Sequence, residues 1–217
     1  MKIMSCSNRE LVKFFLGYKL SQRNYPESLL MLRIGGEQRE GEEVTTASSN
    51  GVPQTPSAVL QHCSGAEAVK AALKDSADEF ELRFTQAFRN LFLKLDLTPD
   101  TVYHSFKSVM DEVFRDGVNW GRIVGLFTFG GVLCVECVQR NMSELVPRIA
   151  DWMTMYLDEY IDPWIQSQGG WDRFAEIFGT DCIPRTRSCR DTVRRWLLVG
   201  AGLLAAVLIG VLITKKH

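Results

Sequence analysis

Apolar side chains recur every three to four residues over most of the chain, and no stretch alternates with period two. That spacing predicts helices and no sheet. The first helix is expected over about residues 8–21, with Leu11, Phe15 and Tyr18 on one face and Arg9, Lys13 and Lys19 pointing elsewhere. A second begins near Gly65. Val69, Leu73, Ser76, Phe80 and Phe84 make one stripe, flanked by Asp75, Asp78, Glu79 and Glu81, and Ala87, Phe88 and Leu91 continue it. Thr98-Pro99-Asp100 reads as a helix start: a hydroxyl cap, a proline in the first turn, and an acid at the positive end of the helix dipole. Val102, Phe106, Val109 and Val113 follow at helical spacing, and Asp116-Gly117 ends the element.

Asn119 can cap the next helix. That helix is apolar nearly all round, through Ile123, Val124, Leu126, Phe127, Phe129, Val132, Leu133 and Val135, so it belongs at the centre of a bundle or in a membrane. A second largely apolar helix is expected over about residues 147–160. Asp162-Pro163 opens a short helix, Gly169-Gly170 breaks it, and "WDRFAEIFG" forms another. The fold class is all-α: about eight helices, two central apolar ones wrapped by amphipathic ones, plus a transmembrane helix near the end.

The helical pattern fails in one long stretch. Residues 23–64 are dominated by Gly, Ser, Thr, Glu and Pro and cannot bury enough apolar area to offset the entropy of ordering them. A disordered loop is expected there, with "SLLMLRI" (28–34) as a piece able to dock on the body. Residues 196–213 are the opposite case: eighteen residues without a charge, spanning roughly 27 Å as a helix, which matches a bilayer's hydrocarbon core. Leu197, Leu198, Val199, Leu203, Leu204, Val207, Leu208, Ile209, Val211, Leu212 and Ile213 supply the insertion energy, roughly −3 to −7 kcal/mol at most. Trp196 sits at the interface, Arg194 and Arg195 stop the span on one side, and Lys215 and Lys216 on the other. This reads as a tail anchor that leaves the body in the cytosol. Gly202, Ala206 and Gly210 give it one smooth face, on which a second copy can pack as a homodimer. The expected organisation is an N-terminal helical segment (1–22), the loop (23–64), the bundle (65–180), a basic linker (181–195) and the anchor (196–214).

The formal net charge is −1 with no basic stripe along the body, which argues against nucleic acid. No signal peptide is expected, because Arg9, Glu10, Lys13 and Lys19 interrupt any apolar core near the start. The six cysteines then stay reduced. "CVEC" (134–137) lies in a helical apolar pattern without a second pair, so buried inert thiols are expected rather than a metal or redox site. The three histidines, at 62, 104 and 217, cannot converge, and no phosphate loop or nucleophile motif occurs. No enzyme activity, cofactor or metal is expected.

One residue resists the bland reading. Arg122 cannot shed its charge, yet it stands among glycines and large apolar side chains. Glycines 117, 121 and 125 permit a close approach, and Asn119 can offer its amide. Together they describe a groove that takes an amphipathic helix and checks it by one acid. A local ion pair of Arg122 with Asp116 or Glu112 explains the pattern equally well.

Four motifs decide between these. In order, "SNRELVKFFLGYKLSQRNY" (7–25), "VKAALKDSADEFELRF" (69–84), "VFRDGVNWGRIVGLFTFGG" (113–131) and "PWIQSQGGWDRFAEIFG" (163–179) resemble the fourth, third, first and second homology segments of the Bcl family of apoptosis regulators. The likeness is to its pro-survival branch. It implies capture of pro-apoptotic relatives by their amphipathic third-homology helix, which stops permeabilisation of the mitochondrial outer membrane and release of cytochrome c. A pore-forming pro-apoptotic effector of the same fold is the alternative. By motif position, Arg122 would meet the partner's aspartate with Asn119 assisting. Phe80, Arg83, Phe84, Ala87, Phe88 and Leu91 would line the groove from one helix, with Val109, Val113, Gly121, Val124, Phe129 and Phe178 from the others. Phe80 is expected inside, so that 69–84 forms groove wall. The implied location is the mitochondrial outer membrane, body facing the cytosol, with endoplasmic reticulum, nuclear envelope and cytosol as alternatives. Phe84 and Phe178 stand where relatives often carry tyrosine, and Val113 where leucine is usual.

Overall fold

The computed structural model describes residues 6–31 and 65–179, and the expected tail anchor and most of the 23–64 loop lie outside them. Within the described residues the chain is helical, with no strand. Helix α1 is Asn8–Ser21, α2 Gly65–Lys94, α3 Val102–Val113, α4 Trp120–Gln139, α5 Leu145–Tyr156, α6 Asp162–Ser167 and α7 Gly170–Phe178. A 3-10 turn at Glu27–Met31 precedes the gap. Leu29 and Leu30 of that turn pack on the core, through contacts with α1 and α5, as foreseen for the start of 28–34.

Sequence chemistry sets the ends. Ser7 and Glu10 form a reciprocal capping box on α1, satisfying donors that the first turn leaves free. Asn119, in extended backbone, accepts from the Arg122 N–H at 2.9 Å and starts α4. Gly117 just before it has φ +100°, which only glycine adopts without strain. The start of α3 falls three residues later than expected. Thr98, Pro99 and Asp100 make a turn in which the Thr101 hydroxyl accepts from the Thr98 N–H at 2.9 Å, and the helix begins at Val102. Beyond α5, residues Leu157–Ile161 form a π-helical turn that runs directly into α6.

Helix α4 is the axis. It is 20 residues long and apolar enough to cross a membrane, but 83% of its apolar window is buried inside the bundle, so it is a core helix here. Helices α1, α2 and α5 pack against it, and α7 closes on α2. The α1 contact is close: a Cβ on Gly131 would lie 2.8 Å from Lys19 Cγ and 3.1 Å from Phe15 Cε1. Helix α5 covers one side of α4 with Ile149 and Met153 and leaves Asp151 and Met155 in solvent.

Candidate helix-binding site

The α3–α4 corner places Arg122 where electrostatics disfavour it twice. It sits in the first turn of α4, at the positive end of the dipole, and it is 4% exposed. Its Nη1 donates to the Gly117 carbonyl. Its Nη2 is 3.6 Å from Oδ2 of Asp116, a side chain left 65% exposed. Its Nε is buried with no partner, the one such side-chain atom among the described residues. The local pair foreseen with Asp116 therefore exists but is loose, and Glu112 pairs with Arg115 instead. A guanidinium has five N–H donors in a planar fork. The Nε–Nη2 edge of that fork is the one a carboxylate takes bidentately, and here its Nε has no partner and its Nη2 only the loose approach of Asp116.

The remaining expected residues gather into one hydrophobic cluster, but not as an open trench. Phe80, Phe88, Leu91, Val109, Val113, Val124, Phe129 and Phe178 are all buried within it, Phe84 and Ala87 are half-buried against it, and Gly121 is buried. The rings fill one another's space. Phe80 lies 4.8 Å from Phe84 and 6.3 Å from Phe88, Phe129 stacks between Phe92 and Phe106, and Phe178 stacks on Phe174 at 4.7 Å. The residues expected to line a groove are closed against one another in this structure. Bare apolar surface costs about 25 cal/mol per Å², so walls with no helix between them close together. Arg83, the one other cation of the set, is half-buried and pairs with Glu79 on its own helix.

The structure also assigns partners that sequence spacing did not reveal. Lys19, expected to point away from the core, is 4% exposed. Its Nζ donates to Asp78 at 2.7 Å, Glu81 at 2.6 Å and Gln22 at 3.2 Å. Tyr18 donates to the same Asp78, and burial followed by that bond pushes its phenol well up from the ordinary value. Residues 69–84 are thus clasped to α1 through Asp78 and Glu81, and Phe80 is fully inside. A second clasp joins the start of α1 to the stretch from the π-helical turn to α7: Trp171 Nε1 donates to Asn8 Oδ1 at 2.8 Å, while Asn8 Nδ2 donates to Asp158 at 2.8 Å and Asp162 at 3.3 Å. Each links residues 59 or more apart in sequence, and only i,i+3 and i,i+4 neighbours are legible as pairs in a helical pattern.

Cys134 and Cys137 lie buried inside α4 as free thiols. Burial raises both, Cys137 to about 12, which keeps them protonated and unreactive. Among the described residues no group of His, Cys, Asp and Glu is arranged to hold a metal.

Comparison with known proteins follows the same lines as the geometry. The family described as "Apoptosis regulator proteins, Bcl-2 family" matches residues 73–171, and "Bcl-2 homology region 4" matches residues 4–26, the stretch containing α1. Bcl-2-like protein 1 of Sus scrofa is 44% identical over 233 residues, covering 98% of this chain and 100% of that protein. Its Homo sapiens counterpart is 43% identical over the same span. Apoptosis regulator Bcl-2 of Gallus gallus is 39% identical over 227 residues, covering 94% of this chain and 95% of that protein. Similarity that runs the length of both partners, across the clasped α1 and the capped arginine alike, places the chain in the Bcl-2 family of apoptosis regulators.

Proposed function

We propose that this chain is an anti-apoptotic regulator that captures pro-apoptotic relatives by their amphipathic third-homology helix, and so prevents permeabilisation of the mitochondrial outer membrane. The partner helix enters between the walls built from α2, α3, α4 and α7, parting the ring contacts that close them. Its aspartate meets the free edge of Arg122. Residues 196–213 hold the assembly at the membrane. The observation that carries this reading is the buried guanidinium with an unpartnered Nε. A buried donor without an acceptor is disfavoured by about 1–3 kcal/mol, and an incoming carboxylate relieves it.

The energetics suit reversible capture. Four apolar anchors contribute about 6–12 kcal/mol gross at roughly 1.5–3 kcal/mol each. Ordering the partner helix takes back about 2–5 kcal/mol. Separating the closed walls lowers the affinity further, in proportion to how rarely they stand open.

Titration calorimetry tests the reading on the full chain in maltoside micelles. Arg122→Ala should weaken binding of an aspartate-bearing amphipathic peptide by about 2–5 kcal/mol. It should leave a peptide whose aspartate is replaced by alanine nearly unaffected. Equal affinities of parent and variant for the aspartate peptide would overturn the proposal. In cells under a death stimulus, expression should protect, whereas a pore-forming effector would kill.

A further inference from the structure

Six large apolar side chains stand exposed among the described residues, and three of them, Tyr103, Met155 and Tyr160, border one cleft between α3 and the end of α5. The cleft holds about 220 Å³, below the ~300–1,000 Å³ of drug-sized sites. Its walls are aromatic. Tyr103 lies 5.0 Å from Trp152 and Tyr156 lies 5.0 Å from Tyr160, ring centre to ring centre. The π-helical turn, an irregularity that often marks functional sites, delivers Glu159 and Tyr160 to the rim. Arg148 does not line the cleft, yet its guanidinium lies 5.3 Å from the Trp152 ring, so this ring already attracts a cation. None of these residues belongs to the helix-binding set.

The charges at the rim have a polarity. Glu159 is an exposed acid, and Lys107, half exposed, is held by Asp111 at 2.8 Å. Aromatic faces favour a cation that surrenders no hydrogen bonds on leaving water, which means a quaternary ammonium rather than a primary one. Beside it, Lys107 keeps spare N–H donors for an anion. A ligand that carries a quaternary ammonium and a phosphate a few bonds apart satisfies both ends.

We propose that this cleft binds phosphocholine, its trimethylammonium group among Tyr103, Trp152, Tyr156 and Tyr160 beside Glu159, its phosphate on Lys107. Two sources carry that chemistry, a choline lipid's headgroup and the soluble ester. The exposed Met155 offers a shelf for the start of a lipid's chains, and a headgroup is the source the cleft favours.

The test uses the full chain in dodecyl maltoside, which carries no choline, and follows the Trp152 indole N–H by NMR. Phosphocholine should shift that signal saturably, at least about fivefold tighter than choline or inorganic phosphate alone. Tyr160→Ala and Lys107→Glu should each weaken it at least about threefold and leave capture of the amphipathic peptide unchanged. Glu159→Lys gives the same reading should Tyr160→Ala fail to fold. Phosphatidylcholine mixed into the maltoside micelles that displaces phosphocholine, where phosphatidylethanolamine does not, assigns the lipid as source; failure of both overturns the lipid assignment in favour of the soluble ester. A signal moved equally by inorganic phosphate, or insensitive to Tyr160→Ala and Glu159→Lys, overturns the site itself.

Discussion

Replacing Arg122 by methionine should stabilise the free protein while crippling capture of the partner helix. The wild-type guanidinium makes one hydrogen bond, to the Gly117 carbonyl, and Gly117 is exposed enough for water to replace the donor. The loss is about 1 kcal/mol at most. The approach to Asp116 at 3.6 Å involves a largely exposed carboxylate and contributes close to nothing, as most exposed pairs do. Against this, methionine removes a buried Nε–H that has no acceptor, a relief of about 1–3 kcal/mol. It also removes a cation from the positive end of α4, about 0.3–1 kcal/mol more. An unbranched apolar side chain fills the vacated channel. The balance is a gain of about 0.3–3 kcal/mol. Urea unfolding followed by circular dichroism reads it as a higher midpoint at unchanged slope, and a thermal scan as about 2–4 °C per kcal/mol. A variant less stable than the parent by 1 kcal/mol or more would refute the reasoning. The fork would then be satisfied in the free protein, and nothing in its state would call for a partner's acid.

Lys19→Met should act in the opposite direction on the same assay. It strips the cation from two carboxylates that are only partly exposed, so a loss of about 2–4 kcal/mol is expected, discounted from the fully buried case. Adding Asp78→Asn and Glu81→Gln should recover much of it; a Lys19→Met chain as stable as the parent would show that the clasp does not hold α2 to α1. Alkaline pH should also weaken the fold. Tyr156 is raised to about 12 from 10, and Cys137 to about 12 from 9, both chiefly by burial. A raised value means the folded state keeps protons that the unfolded state gives up, so stability is full below pH 9 and declines as pH rises from about 9 to 12. Urea midpoints at stepped pH check this, and a midpoint that rises across that window would contradict it.

Most helix positions, the Asn119 cap and the central place of α4 were legible in the sequence because each rests on local rules. Asn119 had to cap something, Gly117 had to turn, and an all-round apolar helix had to be enclosed. The start of α3 was misjudged because Thr98 and Thr101 are both plausible caps, and the backbone turn used the second hydroxyl to close on the first. The face of α1 was misjudged at Lys19 for a different reason. By spacing a lysine belongs in water, and only the arrival of Asp78 and Glu81 from α2 makes its burial tolerable. The apolar cluster was legible in membership, but spacing does not say whether its walls stand apart. Period alone names Phe80, Phe88, Leu91 and Phe129 as apolar neighbours, yet whether such walls stand apart depends on what lies between them.

Among the described residues two cations are buried, each 4% exposed, and they differ in how well their donors are satisfied. Lys19 has found two carboxylates and a side-chain carbonyl, so every donor it presents has an acceptor. Arg122 has found one carbonyl and one distant acid and keeps an orphan donor. Burial by itself therefore says little; the degree of satisfaction says more. The Lys19 clasp also occupies Asp78, an acid of the stretch that resembles the family's third homology segment, and Phe80 beside it is buried. An acid already bonded and a ring already buried cannot be offered to a second copy. On the proposed function, a guanidinium with an unpartnered donor, in a chain whose own carboxylate is already bonded, disfavours self-capture and favours a foreign helix.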